Sequence, residues 1–215
     1  MDTKRHYSLF DKLCLGLDQA VRALSDTPKT SGRPYPADKV AEERLSEEAR
    51  KHAAGLMRIN HAGEICAQAL YHGQGIVSRT DAIQRKMQAA AIEEGDHLAW
   101  CKQRLDELGS HPTYLSPFWY AGSFCIGMTA GLIGDKWSLG FVAETERQVI
   151  KHLEGHLKML PSEDKRSYKI LAQMEADEAK HRDEAIAQGA NELPRFIKKG
   201  MTLVSTVMVK TAYWL

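Results

Sequence analysis

The sequence predicts an all-α protein, a four-helix bundle of two antiparallel hairpins. Three observations predict it. Apolar residues recur at three- and four-residue steps along most of the chain, capping and stopping residues stand between those stretches, and no sustained alternating run bounded by turns offers a strand. The chain has 215 residues, against about 150 for an average domain, so a single domain spanning 1–215 is expected. A composition 43% apolar and 27% charged with 7 prolines excludes disordered and collagen-like chains.

The elements follow in order. Phe10, Leu13, Cys14, Leu17, Ala20, Val21 and Leu24 form the stripe of an amphipathic helix, and Pro28, Gly32, Pro34 and Pro36 make the next stretch a loop, so residues 1–45 read as a helix and loop outside the bundle. Ser46 caps a long helix reaching Val77. Thr80-Asp81 opens a second, which Gly109 stops after Leu108. Ser116-Pro117 opens a shorter helix, the Ser capping and the Pro at the first turn, and Gly134-Asp135 ends it. A long helix then runs from Lys136 to Leu160, where Pro161 breaks it. Ser162 caps its successor, which runs to Gln188 with Gly189 at its end, and Asn191 to Pro194 lead into a last apolar helix.

Two of the long helices carry a Glu followed three residues later by a His, Glu94 with His97 and Glu178 with His181. Residues three apart share a helix face about one turn from each other, so both side chains can grip one ion. In an antiparallel hairpin, residues at one level are equidistant from the turn. Glu64 and Glu94, 30 apart, centre on residue 79; Glu146 and Glu178, 32 apart, centre on residue 162; both centres fall at helix breaks. Glu144 meets that test almost as well, but it lies about 200° from Glu146 around the helix. Val142, Ala143, Val149 and Ile150 flank Glu146, whereas Gly140, Phe141, Arg147 and Gln148 flank Glu144, so Glu146 faces the core.

The sum is a Glu from each of two helices and a Glu-x-x-His from each of two others, the ligand set of ferritin-like di-iron carboxylate bundles. Four carboxylates balance two divalent ions, and carboxylate with imidazole favours iron or manganese. Cys14, Cys66, Cys101 and Cys125 form no C-x-x-C pair, which disfavours zinc ribbons, clusters and disulfides and suits a reducing compartment. A net charge of +1 gives no field for a nucleic-acid backbone, and no nucleotide motif is visible. The first 25 residues carry no secretion signal, which places the amino terminus inside the cell.

From Arg58 to the end, the chain resembles the demethoxyubiquinone hydroxylases of ubiquinone biosynthesis, the clock-one family. The resemblance rests on Asn60-His61-Ala62-Gly63-Glu64 with Ala67-Gln68, on Glu93 to Leu98 and on Asp177 to Asp183. It implies that Glu64, Glu94, His97, Glu146, Glu178 and His181 hold two iron ions, with Glu94 and Glu178 bridging. It also implies a monooxygenase that uses O₂ and an external reductant to hydroxylate 2-polyprenyl-3-methyl-6-methoxy-1,4-benzoquinol. The family has a histidine at His152, a candidate second-layer or relay residue, but Leu153 stands where some relatives have Tyr. His61 is a second candidate behind the ligands, Tyr71 sits on the ligand face as a core residue, and Gly63 and Ala67 leave room for a flat ring. The same ligand set serves other di-iron or di-manganese oxidases and iron-storage cages, though a neutral crossover with a basic apolar tail suits a closed shell poorly.

A prenylated quinol resides in a bilayer. Residues 112–134 are uncharged, but Pro117 and four glycines make this stretch a crossover along the bundle, with Gly127 and Gly131 permitting close helix contact. Phe118, Trp119, Tyr120 and Trp137 suit an interfacial position. Residues 193–215 combine Arg195, Lys198, Lys199 and Lys210 with Phe196, Ile197, Val204, Val207, Met208 and Trp214, and contain no acid. That pattern suggests peripheral attachment to the cytoplasmic side of the cell membrane. A homo-oligomer and a lipid-presenting accessory protein, such as eukaryotic relatives use, are compatible with the chain.

Overall fold

The structure, a computed structural model, describes residues 9–215; the side chains of residues 9, 10, 12 and 13, including the stripe positions Phe10 and Leu13, lie outside the description. Seven helices and no strand are present among the described residues: α1 (Leu9–Leu24), α2 (Glu47–Val77), α3 (Asp81–Glu107), α4 (Ser116–Ile133), α5 (Asp135–Met159), α6 (Lys165–Ala187) and α7 (Arg195–Ala212). The fold class is the expected one. Helices α2 with α3 and α5 with α6 form the two hairpins, and α4 crosses between them along α2.

Local chemistry sets most boundaries. The Ser46 hydroxyl accepts from the Ala49 N–H at 3.1 Å and the Thr80 hydroxyl from Ile83 at 3.3 Å, satisfying first-turn donors that lack helical partners. Gly109 takes φ 66° and Gly189 φ 87° as left-handed stops. Two expected caps move. Asp164, not Ser162, starts α6: its carboxylate accepts from the Ser167 N–H at 3.0 Å and is fixed by the buried Arg104 guanidinium at 2.9 Å. Ser116 lies inside α4 and gives its hydroxyl to the Thr113 carbonyl at 2.8 Å.

Helices α2 and α4 meet backbone to backbone. A Cβ on Gly73 would strike the Phe124 carbonyl, and one on Gly127 the Leu70 carbonyl, so the small residues of the crossover serve close contact as expected. The interior is layered. Ala53, Met57, Trp100, Leu105, Leu153 and Met174 pack in one apolar layer, and Ala67, Tyr71, Met87, Ala91, Leu139 and Val142 in another. Between the layers the four long helices bury polar side chains.

Residues 25–46 form a strap across α3 and α6. Lys29 seats its carbonyl against Gly95, where a Cβ would collide with it. Farther along, Arg104 holds Glu42 at 2.8 Å and Arg166 donates to the Val40 carbonyl at 2.8 Å. The predicted stripe of α1 is only partly covered: Ala23 is buried and Ala20 and Leu24 half-buried against α2 and α4, while Cys14, Leu17 and Val21 face out. Tyr120 departs from its interfacial expectation, being buried with its hydroxyl 2.8 Å from His72 Nδ1.

Candidate metal centre

The polar layer contains Glu64 from α2, Glu94 and His97 from α3, Glu146 from α5, and Glu178 and His181 from α6, all buried. One atom from each of Glu64, Glu94, His97 and Glu178 lies within 4.8 Å of the others, a set able to hold a metal ion. His97 Nδ1 is 3.0 Å from Glu94 Oε2, 3.2 Å from Glu178 Oε1 and 3.6 Å from Glu64 Oε2. His181 Nδ1 is 3.1 Å from Glu94 Oε1 and 3.5 Å from Glu178 Oε2. Glu146 is reached by the charges of Glu178 and Glu94, and its Oε1 accepts the Tyr71 hydroxyl. Glu144 turns the other way, bonding Arg147 at 2.6 Å and Gln148 at 2.7 Å, as its neighbours imply.

Burial raises Glu64 and Glu146 well above the usual carboxylate range, and the surrounding Glu94 and Glu178 charges add to the effect. Burial works against a charged imidazole. Even so, the surrounding acids Asp177, Glu178, Glu64 and Glu94 hold His97 well above its ordinary value, and Glu178 and Glu94 push His181 up to about 12. Against its own burial, Glu94 is driven below the usual range by the two imidazoles. Among the described residues, Glu64 Oε2, Glu94 Oε1, Glu178 Oε2 and His181 Nδ1 are buried without a hydrogen-bond partner. Inward-facing lone pairs on hard oxygen and imidazole nitrogen are what divalent iron or manganese coordinates, so the residues present fit such an ion.

Behind the cluster the two hairpins brace each other. His97 Nε2 lies 3.0 Å from Asp177 Oδ2, and His181 Nε2 lies 3.0 Å from Glu93 Oε2. Each acid immediately precedes the ligand-type glutamate of the other hairpin, so the same crossed contact occurs twice. An outer acceptor fixes the tautomer and orientation of an imidazole whose other nitrogen faces a metal. Sequence reasoning assigned no role to Glu93 or Asp177. Their signal was an acid before the Glu in both Glu-x-x-His copies.

The other candidates lie elsewhere. His152 does not join the cluster: its Nε2 is 3.0 Å from Ser205 Oγ on α7, because six residues past Glu146 the helix has turned away from the ligand face. His61 bonds Asp26 Oδ1 at 3.0 Å rather than a ligand-type residue. A cavity of about 330 Å³ runs between α2, α4, α5 and α7 and reaches Glu64. Gly63, Ala67, Leu70, Phe141, Val149 and Val204 are among its mostly apolar walls, with Asn60, Gln148 and His152 as polar points.

This is the construction of ferritin-like carboxylate proteins, in which paired helices bury glutamate and histidine between apolar layers. Within that class, the chain belongs to the family of ubiquinone biosynthesis protein COQ7, matching it over residues 51–212. It is 53% identical over 211 residues to the 3-demethoxyubiquinol 3-hydroxylase of Acinetobacter baumannii, covering 98% of this chain and 100% of that protein. It is 51% identical to the proteins of the same name from Nitrosococcus oceani, covering 98% of this chain and 99% of that one, and from Pseudomonas fluorescens, covering 99% of each.

Proposed function

We propose that this protein is a di-iron monooxygenase that hydroxylates the ring of a polyprenyl demethoxyubiquinol, placing one atom of O₂ on the ring and releasing the other as water with electrons from an external reductant. The observation that carries this reading is a buried carboxylate–imidazole cluster opening, at Glu64, into an apolar cavity. Glu64, Glu94, His97 and Glu178 would hold one ion, and Glu146, Glu178, His181 and Glu94 the other, with Glu94 and Glu178 shared. The chemistry that iron supplies when bound is the activation of O₂.

The chain's own residues do the rest. Gly63 lacks a Cβ and Ala67 has only one carbon beyond the backbone, leaving a slot beside Glu64 for a planar ring. The walls from Leu70, Phe141 and Val149 exclude water and accept an isoprenoid tail, so the ring would be desolvated where it meets the cluster. Glu93 and Asp177 hold the two imidazoles in orientation. A strain lacking the gene, complemented with Glu178→Ala or His181→Ala, is expected to accumulate the demethoxy quinone, and the purified variants to lose bound iron. Normal ubiquinone in those cells would refute the assignment.

A peripheral site on the cytoplasmic face of the cell membrane accompanies this reading. No helix among the described residues is long and apolar enough to cross a membrane. Beside the cavity, α7 exposes Phe196, Leu203, Val204 and Val207 with Lys199 and Lys210, and α4 exposes Phe118, Leu132 and Ile133. Such a surface suits anionic lipid. Replacing Leu203 and Val207 with Glu is expected to abolish most pelleting with anionic vesicles. Undiminished pelleting would remove α7 from the membrane contact.

A further inference from the structure

The two halves of the cluster are built alike but enclosed differently. On the His97 side the strap closes the back of the imidazole, while the cavity that reaches Glu64 is walled mostly by apolar side chains. Arg33 donates from Nη1 to Asp177 Oδ2 at 2.7 Å and from Nε to Asp96 Oδ2 at 2.9 Å, so one guanidinium ties α3 to α6 across the back of His97. Ser31 anchors the same strap to Asp96 through its N–H at 3.0 Å and through its hydroxyl. The Arg33 guanidinium also lies 4.8 Å from the centre of the Trp100 ring, and that ring packs 5.3 Å from the His97 ring. For His97 to swing outward, a charge-assisted chain of Arg33, Asp96 and Asp177 would have to break and the strap to lift.

Among the described residues, none closes the His181 side in this way. Its acceptor Glu93 is 32% exposed, against 14% for Asp177, and the nearest cation is the exposed Lys180 at 3.9 Å. A cavity of about 110 Å³ lined by Glu93, His181, Lys86 and Glu184 reaches it between α3 and α6. That is room for several waters, since one needs about 10–15 Å³. Glu146, the remaining donor on this side, already has an oxygen engaged by Tyr71.

From these contacts we infer that the two ions differ in lability: the ion held with His181 exchanges with solvent, and the ion held with His97 is retained because Arg33, a positioning residue in the strap, locks Asp177 and through it the imidazole. This rests on the dinuclear reading above. Loss of an outer partner of a metal-bound histidine lowers affinity about 10–100-fold, and the same lock governs how often the imidazole swings free.

The test loads the full-length protein with Fe(II) under anaerobic conditions and follows release to a chromogenic chelator. The expected record has two phases of equal amplitude with rate constants at least about tenfold apart. Arg33→Ala accelerates the slow phase by about tenfold or more and leaves the fast one in place, Arg33→Lys restores part of the retention, and Glu93→Gln alters the fast phase alone. Should Arg33→Ala fail to fold, Ser31→Ala, which removes one of the strap's bonds to Asp96, accelerates the slow phase by a smaller factor. Two ions leaving in one phase, or a slow phase unmoved by Arg33→Ala in a folded protein, overturns the inference while sparing the dinuclear reading. Uptake of fewer than two ions per chain at saturation overturns the dinuclear reading itself.

Discussion

The Tyr71 hydroxyl is the only neutral donor that reaches the ligand-type carboxylates among the described hydrogen bonds, and it meets Glu146, the ligand-type glutamate outside the four-residue group around His97. Burial and the Glu146, Glu94 and Glu178 charges raise the Tyr71 phenol well above its ordinary value, so it stays a donor at any working pH. In chelated protein, Tyr71→Phe leaves a buried acceptor unpaired and is expected to cost about 1–3 kcal/mol in denaturant unfolding. With metal present the cost should shrink, because the freed oxygen then has an ion to bind; equal costs in both states would place Glu146 outside the centre. Glu146 itself was legible from its apolar flanks. Tyr71 was legible as a core residue, but not its bond, which depends on the distance between α2 and α5. Glu93 and Asp177 act across helices, with the acid before each Glu-x-x-His as their one local signal, and Arg33 acts from a loop far away in sequence, where residue spacing carries no information.

At the scale of helices, the packing of α4 on α2 decides whether the cavity has its shape. Gly127 has no room for a side chain against Leu70, so Gly127→Val must push two backbones apart. The expected cost is about 1–3 kcal/mol, a fall in Tm of about 2–12 °C for a chain of this size, read by calorimetry. An unchanged Tm would mean that α4 adapts freely and does not define the wall. Helix limits at Ser46, Thr80, Gly109 and Gly189 were legible because caps and left-handed stops are local. Asp164 displaced Ser162 because buried Arg104 reaches across from α3 to fix it, a contact no local pattern records. The α1 stripe marked a helix correctly but not its burial, since the stripe says only that an apolar face exists and not what covers it.

Across the whole molecule, the cluster couples metal to stability. Glu64, Glu146, His97 and His181 all hold protons more tightly folded than unfolded. A raised folded value means stability present below the unfolded value and lost as pH rises toward the folded one: above about 4.5 for the carboxyls and about 6.5 for the imidazoles. Glu94, shifted downward, contributes the opposite sign only at acid pH. Chelated protein should therefore lose Tm from about pH 6.5 to 9, while metal-loaded protein, with cations replacing the protons, falls much less. Parallel melting curves with and without chelator would contradict this. The hairpin register that gathers these groups was readable from two helix breaks and nearly equal spacings of 30 and 32 residues; the strap behind His97 was not. The most direct measurement is anomalous X-ray diffraction at the iron edge from crystals of protein loaded with iron. Two peaks inside the bundle are predicted, one among Glu64, Glu94, His97 and Glu178 and one among Glu94, Glu146, Glu178 and His181. Iron found only at the surface, or a single internal peak in fully loaded protein, would contradict the account.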